Sequence, residues 1–240
     1  MRRVVVATHN AHKGEELQRI FDAEGLDAQV TPLSAFPPYP DPDETEWTFE
    51  GNALIKARAA VAQTGEIAVA DDSGIEVDLL NNMPGVRSAR WSGVGATDEA
   101  NLRLLVAQLA DTADEQRTAR FVCAMALVTP SGREEVVRGV MPGHVVLEPR
   151  GSNGFGYDPM FVADGQTRTN GELSSHEKDA ISHRARAAHA LVPYLADVLK
   201  QEGASASPSA ATPATMDPGR AAQRAGVWGS SPIVTSGGGQ

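Results

Sequence analysis

The sequence predicts a mixed α/β fold, because short apolar runs typical of buried strands alternate with segments whose apolar residues recur at helical spacing. Three observations carry this prediction: an apolar run at residues 4–7, another at residues 67–70, and a pair of runs at 121–128 and 134–140 around a Thr-Pro-Ser-Gly-Arg turn. With 240 residues, of which 41% are hydrophobic, the chain is long enough to form one large domain or two lobes.

Two strand–helix units are predicted in the first half of the chain. The strand at residues 4–7 leads into a polar loop and then into a helical pattern that ends near Gly25, since glycine suits the position that follows a helix. An alanine-rich helix is predicted over residues 52–63 and ends at Gly65. The buried strand at residues 67–70 follows it.

The middle of the chain is predicted to contain one helix and several strands. Thr97 is expected to N-cap a helix that runs to about Leu109. The strand pair 121–128 and 134–140 comes next, and residues 144–149 are predicted as a further strand.

One long helix is predicted after residue 174. The pattern Ser174-x-x-Glu177 is a capping box that opens this helix, and apolar residues continue at helical spacing to Leu199. Pro193 is expected to kink or split it, because proline removes a backbone donor.

The composition divides the chain into two parts. Residues 1–202 are predicted to form the folded domain. Residues 203–240 are rich in Ala, Ser, Pro and Gly, and such a segment buries too little apolar surface to offset the entropy lost on ordering. We therefore predict a disordered carboxyl-terminal tail.

Charge and composition exclude several classes of protein. The net charge of −10 argues against a surface for duplex nucleic acid, which needs a broad basic patch. No apolar stretch approaches transmembrane length, and the first one stops at Ala7, too short for a signal peptide. Cys123 is the single cysteine and permits no internal disulfide, which is typical of a reducing compartment. A cytoplasmic location is expected.

The loop after the first strand is the first candidate binding segment. Thr8 and Asn10 offer hydrogen-bonding side chains, Lys13 offers a positive charge, and the start of a helix adds free backbone N–H groups. These groups together could hold a phosphate. The alternative is an ordinary strand–helix connection capped by Thr and Asn. On their own, His9 and His12 are expected to be local packing or solvent-facing residues.

A second candidate follows the strand at residues 67–70, where Asp71 and Asp72 precede a Ser-Gly pair. Carboxylates at the end of a strand suit Mg²⁺, which takes oxygen ligands. Because neighbours in a strand point to opposite faces, only one of the two is expected to face the cleft; an Asp-Ser-Gly turn is the alternative. A carboxylate from the acidic segment 41–50 could complete the site, although a solvated acidic loop before a surface Lys56 is equally open.

Two further candidates lie near the end of the predicted domain. The loop "GSNGFGYDP" carries Phe155 and Tyr157 among glycines, and an exposed aromatic there offers a stacking surface for a base. Lys178, His183 and Arg184 fall in the first turns of the predicted long helix, where cations oppose the helix dipole unless an anion or polar ligand compensates. The alternatives are a turn whose aromatics pack inward and a solvated charged face.

Five segments, taken in this order, resemble the inosine/xanthosine triphosphate pyrophosphatase family, which removes deaminated purine nucleotides. They are "ATHNAHKGEEL", "ETEWTFEGNALIKA", "ADDSGIEVDLLNNMPGVRSARWSG", "GFGYDPMF" and "ELSSHEKDAISHRARA", and the resemblance covers residues 1 to about 200. It implies an elongated, two-lobed, mixed-sheet fold of the inosine triphosphatase type. It also implies Mg²⁺-dependent hydrolysis of ITP, dITP and XTP to the monophosphate and pyrophosphate, and a homodimer.

The resemblance further implies the residues of the site. Asp72 is the catalytic acidic residue and a metal ligand, Glu44 is the second metal ligand, and Ser73 contacts the substrate. The remaining residues implied to bind the phosphates, base and sugar are Thr8, His9, Asn10, Ala11, His12, Lys13, Lys56, Phe155, Gly156, Tyr157, Asp158, Lys178, His183 and Arg184.

One departure from the family pattern leaves a second function open. Gly51 stands where the family often has glutamate, so any role of that glutamate is lost or falls to Glu50. A catalytically weakened nucleotide-binding regulatory module of the same fold is the alternative function. A pyrophosphatase for modified pyrimidine nucleotides is a third possibility, which needs a different base pocket.

Overall fold

The computed structural model describes residues 1–8 and 11–205, without the side chains of residues 11, 12 and 202–205. The last helix continues to Ser205, three residues beyond the predicted end of the domain. The remainder of the predicted tail, residues 206–240, lies outside the described residues.

A seven-stranded mixed sheet forms the centre of the described part of the chain. Its order is β2-β1-β3-β5-β6-β7, with β4 paired to β3. The β1 strand runs parallel to β2 and β3, whereas the other pairs are antiparallel. The strands are β1 (Arg2–Val6), β2 (Ala28–Pro32), β3 (Ile67–Val77), β4 (Met83–Pro84), β5 (Thr118–Val128), β6 (Glu134–Val145) and β7 (Phe161–Ala163). This arrangement confirms the predicted mixed α/β fold.

Helices pack against the sheet and begin and end at recognisable signals. The Thr97 side chain accepts a hydrogen bond from the Ala100 backbone N–H and so caps the helix that starts at Asp98, as predicted. The Thr48 side chain accepts a hydrogen bond from the Gly51 backbone N–H and caps the preceding helix, which starts at Phe49. Gly65 ends that preceding helix with a φ of 68°, a conformation that favours glycine. The helices are α1 (Ala11–Ala23), α2 (Phe49–Thr64), α3 (Asp98–Leu109), α4 (Ser175–Asp179) and α5 (His183–Ser205).

The β3 strand is longer than predicted. The sequence indicated a strand that ends before Asp71, with a turn as one alternative, but β3 continues through the acidic pair to Val77. The cause is β5, which pairs with it along its whole length from Ala68 to Val77. Position 74 of this strand is glycine because a 3₁₀ turn packs closely against it. An added Cβ would lie 2.3 Å from Ser88 Oγ, so there is no room for a side chain. The acidic pair therefore lies in the middle of the sheet.

The predicted long helix is in fact two helices. Ser182 ends the connection between α4 and α5, and its Oγ accepts a hydrogen bond from the Ala185 backbone at 3.0 Å, which starts a new helix. Of the two effects expected of Pro193, a kink or a split, the split does not occur, since α5 continues through Pro193. As a consequence, Lys178 lies in α4 and not on the same helix as His183.

The further strand predicted at residues 144–149 is also wrong. Residues up to Val145 belong to β6, which is longer than predicted because it pairs with β5 as far as His144 and with β7 through Val145.

The apolar core is divided along the sheet. One cluster packs β1 and the amino-terminal part of β3 against α1 and α5, and it includes the fully buried Phe21 and Leu191. Another packs the carboxyl-terminal part of β3 against α3 and β7, and it includes the fully buried Leu105 and Phe161. Residues 71–73 lie on β3 between these two clusters, so the core holds the acidic pair rigidly from both sides. No helix in the described part of the chain is both long enough and apolar enough to span a bilayer.

Candidate active site

Asp71 and Asp72 point to opposite faces of the sheet, as the alternation of a strand predicts. The Asp71 carboxylate accepts hydrogen bonds from Lys13 of α1 and Arg184 of α5. The Asp72 carboxylate accepts hydrogen bonds from Asn52 and Lys56 of α2. Both aspartates are engaged by cations, so neither is a simple turn residue.

A carboxylate–lysine cluster forms around Asp72. Lys56 Nζ donates to Asp72 Oδ1 and to Glu44 Oε1, each at 3.0 Å. The second oxygen of Glu44 accepts from Arg90 Nη1 at 3.1 Å, and the second oxygen of Asp72 accepts from Asn52 Nδ2 at 3.3 Å. Lys56 therefore bridges Glu44 and Asp72, and all three residues are ones that the family resemblance implied.

The two carboxylates of this cluster have different proton affinities. Burial raises the pKa of Asp72 above its ordinary value, and Lys56 opposes this only in part. Burial also acts on Glu44, but Lys56 and Arg90 outweigh it and lower the pKa of Glu44. Asp72 therefore accepts a proton more readily than Glu44 does.

The same cluster offers oxygen ligands for a divalent cation. One oxygen each of Glu44 and Asp72 lies 3.0 Å from the Lys56 ammonium, so Lys56 occupies the point where these two oxygens approach each other. Within residues 1–8 and 11–205, no group of three or more His, Cys, Asp or Glu side chains is arranged to hold a metal ion. Two carboxylates fit Mg²⁺, which commonly takes one or two from the protein and completes its shell with water and substrate phosphate.

A cavity of about 400 Å³ opens beside this cluster. Lys13, Glu44, Lys56 and Asp71 line it, together with Thr8 at the end of β1. Lys13 Nζ contacts both Asp71 oxygens, at 3.0 and 2.8 Å. Of the other residues implied to bind phosphate, His9 and Asn10 lie outside the described residues, and only the helical backbone of Ala11 and His12 is described.

A second cavity of about 460 Å³ adjoins the first, since Lys13 lines both. Phe155, Lys178, His183 and Arg184 contribute to its wall. The Phe155 ring is 58% exposed, and Lys178 Nζ lies 5.3 Å from its centroid. This cavity therefore combines an accessible aromatic face with cations, as expected for a base and sugar site.

Two residues of the glycine-rich loop support the cavity instead of lining it. Tyr157 is only 5% exposed and its hydroxyl donates to the Ser88 carbonyl at 2.8 Å, so the stacking surface expected of it is provided by Phe155 alone. Asp158 is buried and accepts hydrogen bonds from the Phe155 backbone at 2.9 Å and from Lys178 Nζ at 2.5 Å. Between them, Gly156 donates its backbone N–H to an α3 carboxylate.

His183 and Arg184 occupy the first turn of α5. His183 is 6% exposed and stacks on Phe121, with the ring centroids 5.1 Å apart. Burial, followed by the nearby Arg184 and Lys178 charges, lowers the pKa of His183 well below its ordinary value, so the ring is neutral near pH 7. Its Nδ1 has no hydrogen-bond partner among the described residues. No pattern in the sequence indicated this neutral state.

Ser73 lies two residues after Asp71 on the same face of β3 and is partly buried. Asn52 and Arg90 complete the carboxylate cluster but were not anticipated. Glu16 was also missed: it is buried beside Arg184, and burial raises its pKa. The helical spacing of Lys13 and Glu16 on α1 is the signal that could have placed this glutamate next to the site.

Comparisons with known proteins show which family the chain resembles. The chain matches the Ham1 family over residues 4–194. It is 53% identical to a dITP/XTP pyrophosphatase of Cutibacterium acnes, covering 80% of this chain and 96% of that protein. It is 56% identical to a dITP/XTP pyrophosphatase of Frankia alni, covering 82% of this chain and 98% of that protein.

Solved structures show the same similarity. A nucleoside-triphosphatase / dITP/XTP pyrophosphatase from Mycobacterium abscessus is 52% identical with a TM-score of 0.69, over 80% of this chain and 99% of that one. A HAM1 protein from Coxiella burnetii is 41% identical with a TM-score of 0.75, over 82% of this chain and 100% of that one. The chain thus belongs to the Ham1 family.

Proposed function

We propose that this protein is a Mg²⁺-dependent nucleoside triphosphate pyrophosphatase that hydrolyses ITP, dITP and XTP to the monophosphate and pyrophosphate. The observation that carries the proposal is the pair of cavities that meet at Lys13, one beside the Glu44–Lys56–Asp72 cluster and the other beside Phe155. The names of the relatives in Cutibacterium acnes and Frankia alni point to the same substrates.

The first cavity suits the triphosphate. A nucleoside triphosphate carries about four negative charges, and Lys13 and Lys56 supply fixed positive charges where these phosphates would lie. Glu44 and Asp72 would hold Mg²⁺, which as a Lewis acid offsets phosphate charge and polarises the phosphorus–oxygen bonds. The acidic surface elsewhere leaves these few cations as the attraction for an anionic substrate.

Asp72 is the proposed proton acceptor. Water attacks the α-phosphorus, the bond to the bridging oxygen breaks, and pyrophosphate leaves with that oxygen. Asp72 takes the proton of the attacking water. Glu44 stays ionised because Lys56 and Arg90 lower its pKa against the effect of burial, and Asn52 orients the second Asp72 oxygen.

The second cavity suits a 6-oxopurine. Phe155 offers its exposed face to the base, while Arg184 and the unpaired Nδ1 of His183 supply polar groups for the 6-oxo oxygen. Adenine carries a 6-amino group, which would leave these donors unpaired in a buried site. Such a mismatch lowers kcat/KM by as much as about 10⁴-fold in sites built on hydrogen bonds.

The regulatory alternative based on Gly51 is not favoured. The cluster of Glu44, Lys56 and Asp72 forms without a side chain at position 51. Glu50, to which the role of the missing glutamate would fall if it were not lost, contacts Arg138 at 3.2 Å. We also propose that the protein acts as a homodimer in the cytoplasm, as the family resemblance implies.

Product analysis in ¹⁸O-labelled water tests the proposed reaction. With ITP and Mg²⁺ we expect IMP and pyrophosphate in equal amounts, with the label in IMP because water attacks the α-phosphorus. Chelation of the metal should abolish product formation. Formation of IDP and orthophosphate, or label in pyrophosphate, would show that another bond or another phosphorus reacts.

A further inference from the structure

We propose that Asp71 is a positioning residue that fixes Lys13 and Arg184 relative to each other and so couples triphosphate binding to selection of the base. The proposal rests on the proposed function, since it assigns the two cations to the two ends of one nucleotide. Asp71 itself is not assigned a contact with substrate.

The geometry of a shared carboxylate carries the proposal. Lys13 Nζ donates to both Asp71 oxygens, at 3.0 and 2.8 Å. Arg184 Nε donates to Oδ2 of the same carboxylate at 3.4 Å. Asp71 is 7% exposed, so these contacts are shielded from solvent and from screening by salt.

Asp71 stands at the junction of three elements and two cavities. It projects from β3, whereas Lys13 belongs to α1 and Arg184 to α5. Asp71 lines the phosphate cavity, Arg184 lines the base cavity, and Lys13 lines both. Because both cations bind Asp71, a shift in the position of one cation is transmitted to the other through the Asp71 side chain.

The surrounding charges leave Asp71 as the main anion of this junction. It accepts two hydrogen bonds from Lys13 and one from Arg184, all at 3.4 Å or less. The other carboxylate near Arg184 is Glu16, whose nearer oxygen lies 3.9 Å from Nη1. Burial raises the pKa of Glu16, so it is the weaker counter-ion of the two.

The first test is Asp71→Asn, which preserves the side-chain size but removes the charge and one acceptor oxygen. Calorimetry with metal present would measure the affinities for ITP, for ATP and for inorganic triphosphate. We expect the triphosphate affinity to fall about tenfold and the ITP-over-ATP affinity ratio to fall about tenfold as well, since each end loses a charge-assisted hydrogen bond.

Asp72→Asn is the matched control, because the same change is made one residue away on the opposite face. It should lose turnover but keep the ITP-over-ATP affinity ratio. A folded Asp71→Asn variant that retains both the triphosphate affinity and the ratio to within about twofold would overturn the proposal.

Cross-effects keep the proposal testable even if Asp71→Asn does not fold. Lys13→Met should change the ITP-over-ATP ratio, although Lys13 is assigned to phosphate, and Arg184→Met should weaken binding of inorganic triphosphate, although Arg184 is assigned to the base. If Lys13→Met alters only the binding of inorganic triphosphate and Arg184→Met alters only the ITP-over-ATP ratio, the two ends of the nucleotide are bound independently and the proposal is wrong. These readouts measure binding, so they stay separate from a failure of the wild-type protein to release pyrophosphate, which would contradict only the proposed function.

Discussion

At the scale of single residues, the site depends on carboxylates that lie in different surroundings. Asp71 and Asp72 are adjacent in sequence, and burial acts to raise the pKa of both. At Asp71 the cations Lys13 and Arg184 outweigh burial and lower the pKa, whereas at Asp72 Lys56 opposes burial only in part and the pKa is raised. The sequence predicted that the two side chains point to opposite faces of the sheet, since alternation along a strand follows from backbone geometry alone. It could not predict which cations each would meet, because Lys13, Lys56 and Arg184 come from distant segments.

Replacing Asp72 tests its role as proton acceptor. Asp72→Asn should lower kcat for pyrophosphate release by about 10²- to 10⁴-fold, the usual contribution of a general base, and should retain the fold. The measurement is steady-state release of pyrophosphate from ITP, with circular dichroism to check folding. Asp111→Asn, an exposed aspartate outside both cavities, is the control and should keep wild-type kcat. An Asp72→Asn variant with near-normal turnover would remove Asp72 from the chemistry.

The neutral state of His183 predicts how folding stability depends on pH. Burial, with Arg184 and Lys178, holds the pKa of His183 in the folded protein well below its ordinary value, so the unfolded chain binds a proton that the folded chain does not. Stability contributed by this residue is therefore present above about pH 6.5 and is lost as the pH falls below it.

Urea unfolding between pH 7.5 and pH 5, compared for wild type and His183→Asn, measures this contribution. We expect the free energy of unfolding to fall less with acidification in the variant. Equal slopes in the two proteins would mean that His183 is protonated in the folded state as well.

At the scale of elements, the break between α4 and α5 positions the base end of the site. Ser182 caps α5, so Lys178 and the His183–Arg184 pair approach the second cavity from two helices. The sequence showed the capping box at Ser174 but not this second start, because apolar residues keep helical spacing across the break. In the same way the end of β3 was misplaced: its polar residues resemble a turn, and only the pairing with β5 keeps them in the strand.

Removal of the Ser182 cap tests this arrangement. Ser182→Ala should lower the free energy of unfolding by about 1 kcal/mol and also raise KM for ITP, since the first turn of α5 carries His183 and Arg184. Thr97→Ala removes an equivalent cap from α3 and is the matched control: it should reduce stability similarly without changing KM. Urea unfolding and initial-rate kinetics give the two quantities. If both variants leave KM unchanged, the cap serves stability alone.

At the scale of the whole molecule, the protein places a few cations in a cleft while its overall charge is −10. Two apolar clusters along one sheet leave polar β3 residues between them, and the cavities open there. The fold class and most of the cluster residues could be predicted because motif residues lie next to strong strand and helix patterns. Asn52 and Arg90 could not, since their part in the site arises only when separate segments pack together.

The most direct test of the proposed function is a comparison of pyrophosphate release from ITP, XTP and dITP with release from ATP and GTP, each with Mg²⁺ and with the metal chelated. We predict metal-dependent release, with kcat/KM for ITP and XTP exceeding that for ATP by about 10²-fold or more because adenine leaves buried donors unpaired. Equal rates on ITP and ATP would contradict the assignment of the second cavity to a 6-oxopurine. Absence of release from every substrate would contradict the proposed activity itself.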